Sequence, residues 1–213
     1  MNGVFITGSN TEVGKTTVSV DIIKHLRKKR KVLARKPVET GCDLVNGSFL
    51  PKDAIKLNEA CSSGESVDVV CPFCFELEAS PEEASIHSGR LLELDALVGA
   101  CRFRVDDSFV FVEGAGGFCS PIANKALNSD LAVQLGMPVI IVVRDELGAV
   151  GQALLTVNAA KSQNLQIVCI ILNEIENNQL GNAEALRAYT ETPVIEYSKS
   201  NLSFFCSEVE RLI

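Results

Sequence analysis

The sequence predicts an α/β fold, a doubly wound and mostly parallel sheet flanked by helices. Three observations predict it. Short apolar runs recur at 4–7, 32–35, 109–112, 139–143 and 167–172, continuous rather than alternating with polar residues, as in strands buried on both faces. Longer stretches with helical spacing separate them, roughly 15–29, 52–61, 91–104, 128–135, 148–162, 179–189 and 202–212. The order is therefore β-α repeated, and right-handed crossovers wind such a chain into a sheet whose ligands lie beyond the strands' carboxyl ends.

The 213 residues suit one domain, 1–213, with a core large enough to fold without staples. Between about 62 and 90, Pro72 and Pro81 interrupt any long element, and an insertion beside the site is expected there. A net charge of −7 repels a phosphate backbone, so no nucleic-acid partner is expected. The basic run Arg27, Lys28, Lys29, Arg30, Lys31 falls where the first helix should end, and cations there complement the helix dipole. No apolar run approaches the ~20 residues a bilayer requires, and no leader pattern opens the chain. A cytoplasmic protein without membrane contact is expected. The 8 cysteines then stay reduced. Cys71 and Cys74 form a CxxC, but a zinc site needs more ligands than these two, so packing thiols are expected.

The first strand runs into Gly8, Ser9, Asn10, Thr11, Glu12, Val13, Gly14, Lys15, Thr16, Thr17, and an amphipathic helix follows. Strand, glycine-containing loop, Gly-Lys-Thr and helix in that order make a phosphate loop of the P-loop NTPase fold. Gly14 lets backbone N–H groups curl around phosphate oxygens at the helix's positive end. Lys15 would reach the β- and γ-phosphates, and the Thr16 hydroxyl would ligate Mg²⁺. The common first glycine is Ser9 here, and counting from Gly8 lengthens the loop by one residue.

Two further clusters stand at strand ends. Strand 32–35 ends at Lys36, Pro37, Val38, Glu39, Thr40, Gly41, where a fixed cation can stabilise a transferring phosphoryl group, or a lysine can simply precede a turn. Strand 109–112 ends in Glu113, Gly114, Ala115, Gly116, Gly117. Four apolar residues before an acid make a Walker B pattern, whose carboxylate holds Mg²⁺ directly or through water. Asp53 lies between them in sequence and offers another oxygen. Asn173 follows the run 167–172, where a carboxamide either pairs with adenine's edge or sits in a strand-to-helix turn.

TEVGKT at 11–16, KPVETG at 36–41 and EGAGG at 113–117, taken jointly, resemble dethiobiotin synthetase, with the likeness running to about Asn173. That resemblance implies an ATP- and Mg²⁺-dependent carbon–nitrogen ligase of biotin synthesis. In the family, 7,8-diaminopelargonate captures CO₂ as a carbamate, the carbamate attacks the γ-phosphate, and the second amine closes the cyclic urea. By position, Lys36 and Lys15 would be catalytic, and Thr11 and Thr40 would touch the diamine. Thr16, Asp53 and Glu113 would surround Mg²⁺. Glu12, Val13, Gly14, Lys15, Thr16, Thr17, Gly114, Ala115 and Gly116 would border the nucleotide phosphates, and Asn173 would face adenine. A homodimer with the substrate site near its interface is likewise implied.

Three departures from the family pattern stand out. Gly151 and Gln152 replace an Asn-His pair that reads substrate from the partner subunit. Pro193, Val194, Ile195, Glu196, Tyr197 replace a Gly-x-Ile-Pro segment near adenine, and Glu82 replaces a histidine after Ser80 and Pro81. The rival readings are a cobyrinate synthase-like amide ligase and a nucleotide-gated switch of the partitioning kind. The first appends a glutaminase domain, and the second carries an early lysine where this chain has Ser9 and Asn10.

Overall fold

A computed structural model describes residues 1–62, 64–176 and 179–213. From the amino end, β1 (Gly3–Gly8) leads into α1 (Lys15–Leu26), β2 (Val32–Arg35) and the short β3 (Val38–Glu39). A hairpin follows, β4 (Asp43–Val45) and β5 (Ser48–Leu50), then α2 (Lys52–Ala60), α3 (Val67–Val70), β6 (Phe73–Cys74), α4 (Pro81–His87) and α5 (Leu94–Arg102). The long β7 (Phe109–Gly117) precedes a small hairpin of β8 (Pro121–Ala123) and β9 (Ala126–Leu127) and then α6 (Asn128–Leu135). The remainder is β10 (Val139–Arg144), α7 (Ala149–Ser162), β11 (Ile167–Asn173), α8 (Asn182–Arg187), β12 (Val194–Tyr197) and α9 (Leu202–Leu212).

Among the described residues, six strands form one parallel sheet in the order β12-β11-β10-β1-β7-β2. Alternate side chains leave opposite faces of each strand, and both faces are covered. Phe5, Val110, Val112, Val139 and Ile141 pack with Ala84 of α4, Leu97 of α5, Leu131 of α6 and Val157 of α7. On the other face Val4, Ile6, Phe109, Phe111 and Ile140 pack with Ile22 of α1, Leu57 of α2 and Phe205 of α9. Full burial of each such side chain stabilises by about 1.5–3 kcal/mol, which is why the strand runs carry no polar alternation. Cys101 and Cys169 lie inside these cores, and burial pushes both thiols up to about 12. The Cys71 and Cys74 sulfurs sit 3.7 Å apart. Among the described residues no group of three or more His, Cys, Asp or Glu gathers to hold a metal ion.

The sheet order sets the site. Because β7 lies between β1 and β2, the loops leaving the carboxyl ends of these three strands converge, which is the switch-point geometry of doubly wound sheets. β7 also bulges there. Ile6 pairs with Glu113 and Gly8 with Gly117, so four steps on β7 match two on β1 and the intervening glycines protrude.

Several boundaries differ from expectation. Helix α1 stops at Leu26 rather than 29, and the basic run after it serves packing. The Arg27 guanidinium donates to the carbonyls of Glu59 and Ala60 at the end of α2 (3.3 and 3.2 Å), and Arg30 lies 3.8 Å from the Phe109 ring centroid. The described residues between 62 and 90 include two short helices, α3 and α4, and the strand β6. A sixth sheet strand, β12, lies at the edge, where Glu196 points to solvent. No helix of the described residues is long and apolar enough to cross a membrane.

Candidate active site

A cavity of about 750 Å³ opens over the carboxyl ends of β1, β7 and β2. Its floor is the phosphate loop, whose shape follows from two glycines. A Cβ on Gly8 would come 2.6 Å from the Asn10 carbonyl oxygen and 2.7 Å from a Val13 methyl, so the longer loop requires glycine at that position. Gly14 adopts a left-handed φ of 86° at the start of α1 and supplies no side-chain cap. The first N–H groups of α1 are therefore left for an anion in the cavity.

Asn173 braces this loop. Its Nδ2 donates to the Val13 carbonyl at 2.8 Å, and a Cβ on Gly14 would sit 2.1 Å from that nitrogen. The Ser9 hydroxyl donates to Gln152 Oε1 at 3.2 Å, so the first turn of α7 holds the other side of the same loop.

Two lysines meet over the loop with opposite electrostatics. Lys15 is 8% exposed, its Nζ donates to the Asn10 carbonyl at 3.4 Å, and burial lowers its pKa to about 8 despite the pull of Glu113. A buried ammonium with so little compensation is a site for an added anion. Lys36 is also buried, and burial alone would lower its pKa. Glu113, Asp53 and Glu39 outweigh that effect and raise it, so Lys36 stays an ammonium.

Glu113 is the hub. It is 1% exposed, and its Oε1 accepts from Lys36 Nζ at 2.9 Å and from the Thr16 hydroxyl at 2.7 Å. Its Oε2 accepts from the Ser19 hydroxyl at 3.1 Å. The Asp53 carboxylate lies 3.8 Å from Lys36 Nζ. Two carboxylates thus flank the Lys36 ammonium, and the Thr16 hydroxyl binds one of them. This all-oxygen set fits Mg²⁺, which keeps several waters and phosphate oxygens and needs few protein ligands.

Of the residues expected at the site, Thr11, Glu12, Lys15, Thr16, Thr17, Lys36, Thr40, Asp53, Glu113, Ala115 and Gly116 all line the cavity, as does Gly14. Val13, Gly114 and Asn173 stand behind its wall and shape it. Glu78, Ala79 and Ser80 also reach it, so the segment between 62 and 90 does lie beside the site.

Three residues given no site role from the sequence also matter to the geometry. Ser19, one turn beyond Thr16 on α1, shares Glu113 with it. Asn128 is fully buried under the EGAGG turn, accepting from the Ala115 N–H at 3.1 Å and donating to the carbonyls of Ala115 and Gly117. Glu39 accepts two backbone N–H groups at the start of α2. A spacing rule finds Ser19, but nothing in sequence marks Asn128, which reads as an ordinary polar residue opening a helix.

A smaller cavity of about 220 Å³ lies beyond β11 and β12. Leu172 and Glu174, flanking Asn173, line it together with Asn182, Tyr197 and Asn201.

A family model described as an AAA domain matches residues 2–196. The chain is 46% identical over 213 residues to the ATP-dependent dethiobiotin synthetase BioD of Ruthia magnifica, covering 100% of this chain and 99% of that one. It is 45% identical to the same enzyme of Vesicomyosocius okutanii, covering 100% and 97%. Among solved structures, the ParA family ATPase of Chlorobium tepidum superimposes with a TM-score of 0.58 at 11% identity, over 99% of this chain and 90% of that one, a likeness of fold. With full-length identity at this level, and with the phosphate loop, Lys36 and Glu113 gathered in one cavity, the chain belongs to the dethiobiotin synthetase family.

Proposed function

We propose that this protein is an ATP-dependent dethiobiotin synthetase, closing the cyclic urea of dethiobiotin from 7,8-diaminopelargonate and CO₂ in biotin synthesis. The observation that carries the reading is the meeting of Lys15, Lys36, Thr16 and Glu113 in one cavity. One amine of the diamine adds to CO₂ and loses a proton, giving a carbamate. A carbamate oxygen attacks the γ-phosphorus as ADP departs, forming a carbamic–phosphoric anhydride. The second amine then attacks the carbonyl carbon, phosphate leaves, and the ring closes.

This chemistry needs positioning and charge neutralisation more than a nucleophilic side chain. Lys15 holds the β- and γ-phosphate oxygens. Lys36 is the catalytic cation, neutralising charge on the transferring phosphoryl group and the carbamate. Thr11 and Thr40 orient the diamine. Residues Glu12 to Thr17 and Gly114 to Gly116 border the phosphates, Val13 and Gly114 acting through the backbone. Mg²⁺, held by Thr16, Asp53 and Glu113, would neutralise phosphate charge. Adenine lies by Asn173, and the cavity beside that residue supports this.

We further propose a cytoplasmic homodimer with the substrate site near its interface. Support comes from the exposure of Leu147 (87%) and Leu155 (73%) around α7, and from the 8 unpaired cysteines, which suit a reducing compartment. The test is phosphate release from ATP with Mg²⁺ and bicarbonate, with and without the diamine. Release that depends on the diamine supports the ligase. Release indifferent to it supports a nucleotide-gated switch instead.

A further inference from the structure

Helix α2 begins without a cap of its own. Pro51 stands at its N-cap position and offers no side-chain acceptor, so the N–H groups of the first turn need partners from elsewhere. Glu39, at the end of β3, supplies them. Its Oε1 accepts the Asp53 N–H and its Oε2 the Ala54 N–H, each at 3.0 Å. The residue is 8% exposed. A carboxylate at a helix N-terminus is favoured by the dipole, and its bonds to N–H donors are charge-assisted. The tie therefore fixes where the first turn of α2 stands relative to the strand end that carries Lys36.

The side chain projecting from that turn is Asp53. Its Oδ1 takes the Lys56 ammonium at 3.3 Å, and its Oδ2 faces Lys36 Nζ at 3.8 Å. It stands 38% exposed, in contrast to Glu113 at 1%. Glu113 is locked by Thr16 and Ser19 of α1 and by Lys36 at the end of β2. The Asp53 side chain also meets the Thr16 hydroxyl, but it stands on α2, and what anchors the backbone of that turn to the site is Glu39.

We infer that Glu39 is a positioning residue for the divalent cation: it holds the α2 N-terminus so that the Asp53 carboxylate faces Thr16 and Glu113 across the cation site. The inference rests on reading the cavity as a Mg²⁺–nucleotide site. Glu39 lines the cavity as well, so the rival role is direct contact with substrate or metal. The two differ in what Asp53 does to the effect of a Glu39 substitution. A residue that acts through Asp53 loses its influence when Asp53 is gone.

Glu39→Gln keeps the side chain's volume and one acceptor while turning an N–H group toward the other donor. In the ligand-free chain, amide hydrogen exchange at Asp53 and Ala54 is expected to speed by about 10-fold or more, since an opened N-terminal turn exchanges locally. Mn²⁺ binding to the complex with a non-hydrolysable ATP analogue, followed by electron paramagnetic resonance, is expected to weaken about 10-fold, the usual effect of removing a residue that orients a metal ligand. Binding of the analogue without metal should stay within about 2-fold. In the Asp53→Ala background, Glu39→Gln should add nothing to the Mn²⁺ loss. Unchanged exchange at both amides, or losses that multiply in the double variant, overturn the inference. Failure of the ligase reading registers elsewhere, as wild-type protein that forms no cyclic urea, and the exchange and Mn²⁺ arms judge Glu39 independently of it.

Discussion

Replacing Lys36 by methionine keeps most of the side chain's volume and removes one charge from the centre of the site. Glu113, 1% exposed, then retains only the Thr16 and Ser19 hydroxyls. Breaking a buried ion pair by removing one partner costs about 3–5 kcal/mol. For a chain of this size, a loss of about 4 kcal/mol lowers Tm by roughly 10 °C. Urea unfolding of both proteins at pH 7 measures this. Equal midpoints refute the view of Lys36 and Glu113 as a buried coupled pair. The same variant should bind ATP and lose turnover by about 10²–10³-fold, as for other groups that neutralise transition-state charge.

Gly14→Ala forces a Cβ to within 2.1 Å of Asn173 Nδ2 at a φ of 86°. The strain and the lost loop brace cost about 2–4 kcal/mol together, so ATP affinity by calorimetry should fall about 100-fold, and a change under 2-fold contradicts the role given to this loop. Asn128→Ala strips the EGAGG turn of its buried partners. Each orphaned group costs about 1–3 kcal/mol, so unfolding in urea should shift to lower concentration and KM for ATP should rise, and unchanged values of both would remove Asn128 from the phosphate site. The Tyr197 hydroxyl donates to Asp21 at 2.6 Å, and burial first, then that bond, pushes its pKa up to about 12. The folded chain keeps the phenolic proton that the unfolded chain releases near pH 10, so the stability it contributes is present below pH 10 and lost as pH rises toward 12. Tyr197→Phe should flatten that decline in urea midpoints, and parallel pH profiles would contradict the assignment.

What the sequence made readable, and what it hid, follows from burial. Five sheet strands were plain because both of their faces lie inside cores, which leaves an unbroken apolar run. The sixth, β12, is a four-residue edge strand with Glu196 turned to solvent, and so lacks that mark. Helix α4 opens on a Ser-Pro pair whose serine accepts the Glu83 N–H at 3.3 Å, a start signal masked by its position among turn residues. Within the site, the cavity residues expected from sequence were legible because most sit in motifs at strand ends, although Asp53 opens α2 instead. The long-range contacts that hold the motifs were not. Asn128 reaches Ala115 across 13 positions and Glu39 reaches Asp53 across 14, and such partnerships are set by the sheet order rather than by local pattern. Asn173 belongs to both classes, expected at adenine and found bracing the loop that carries Val13 and Gly14.

The most direct measurement follows the oxygen atoms. With ¹⁸O-labelled CO₂, the diamine, ATP and Mg²⁺, one labelled oxygen of the carbamate should leave in the inorganic phosphate and the other should remain as the urea carbonyl, both read by mass spectrometry before the label exchanges with water. Phosphate released without label while dethiobiotin forms would mean that no carbamate oxygen ever reached the γ-phosphorus, and the roles given to Lys15 and Lys36 would fall with it.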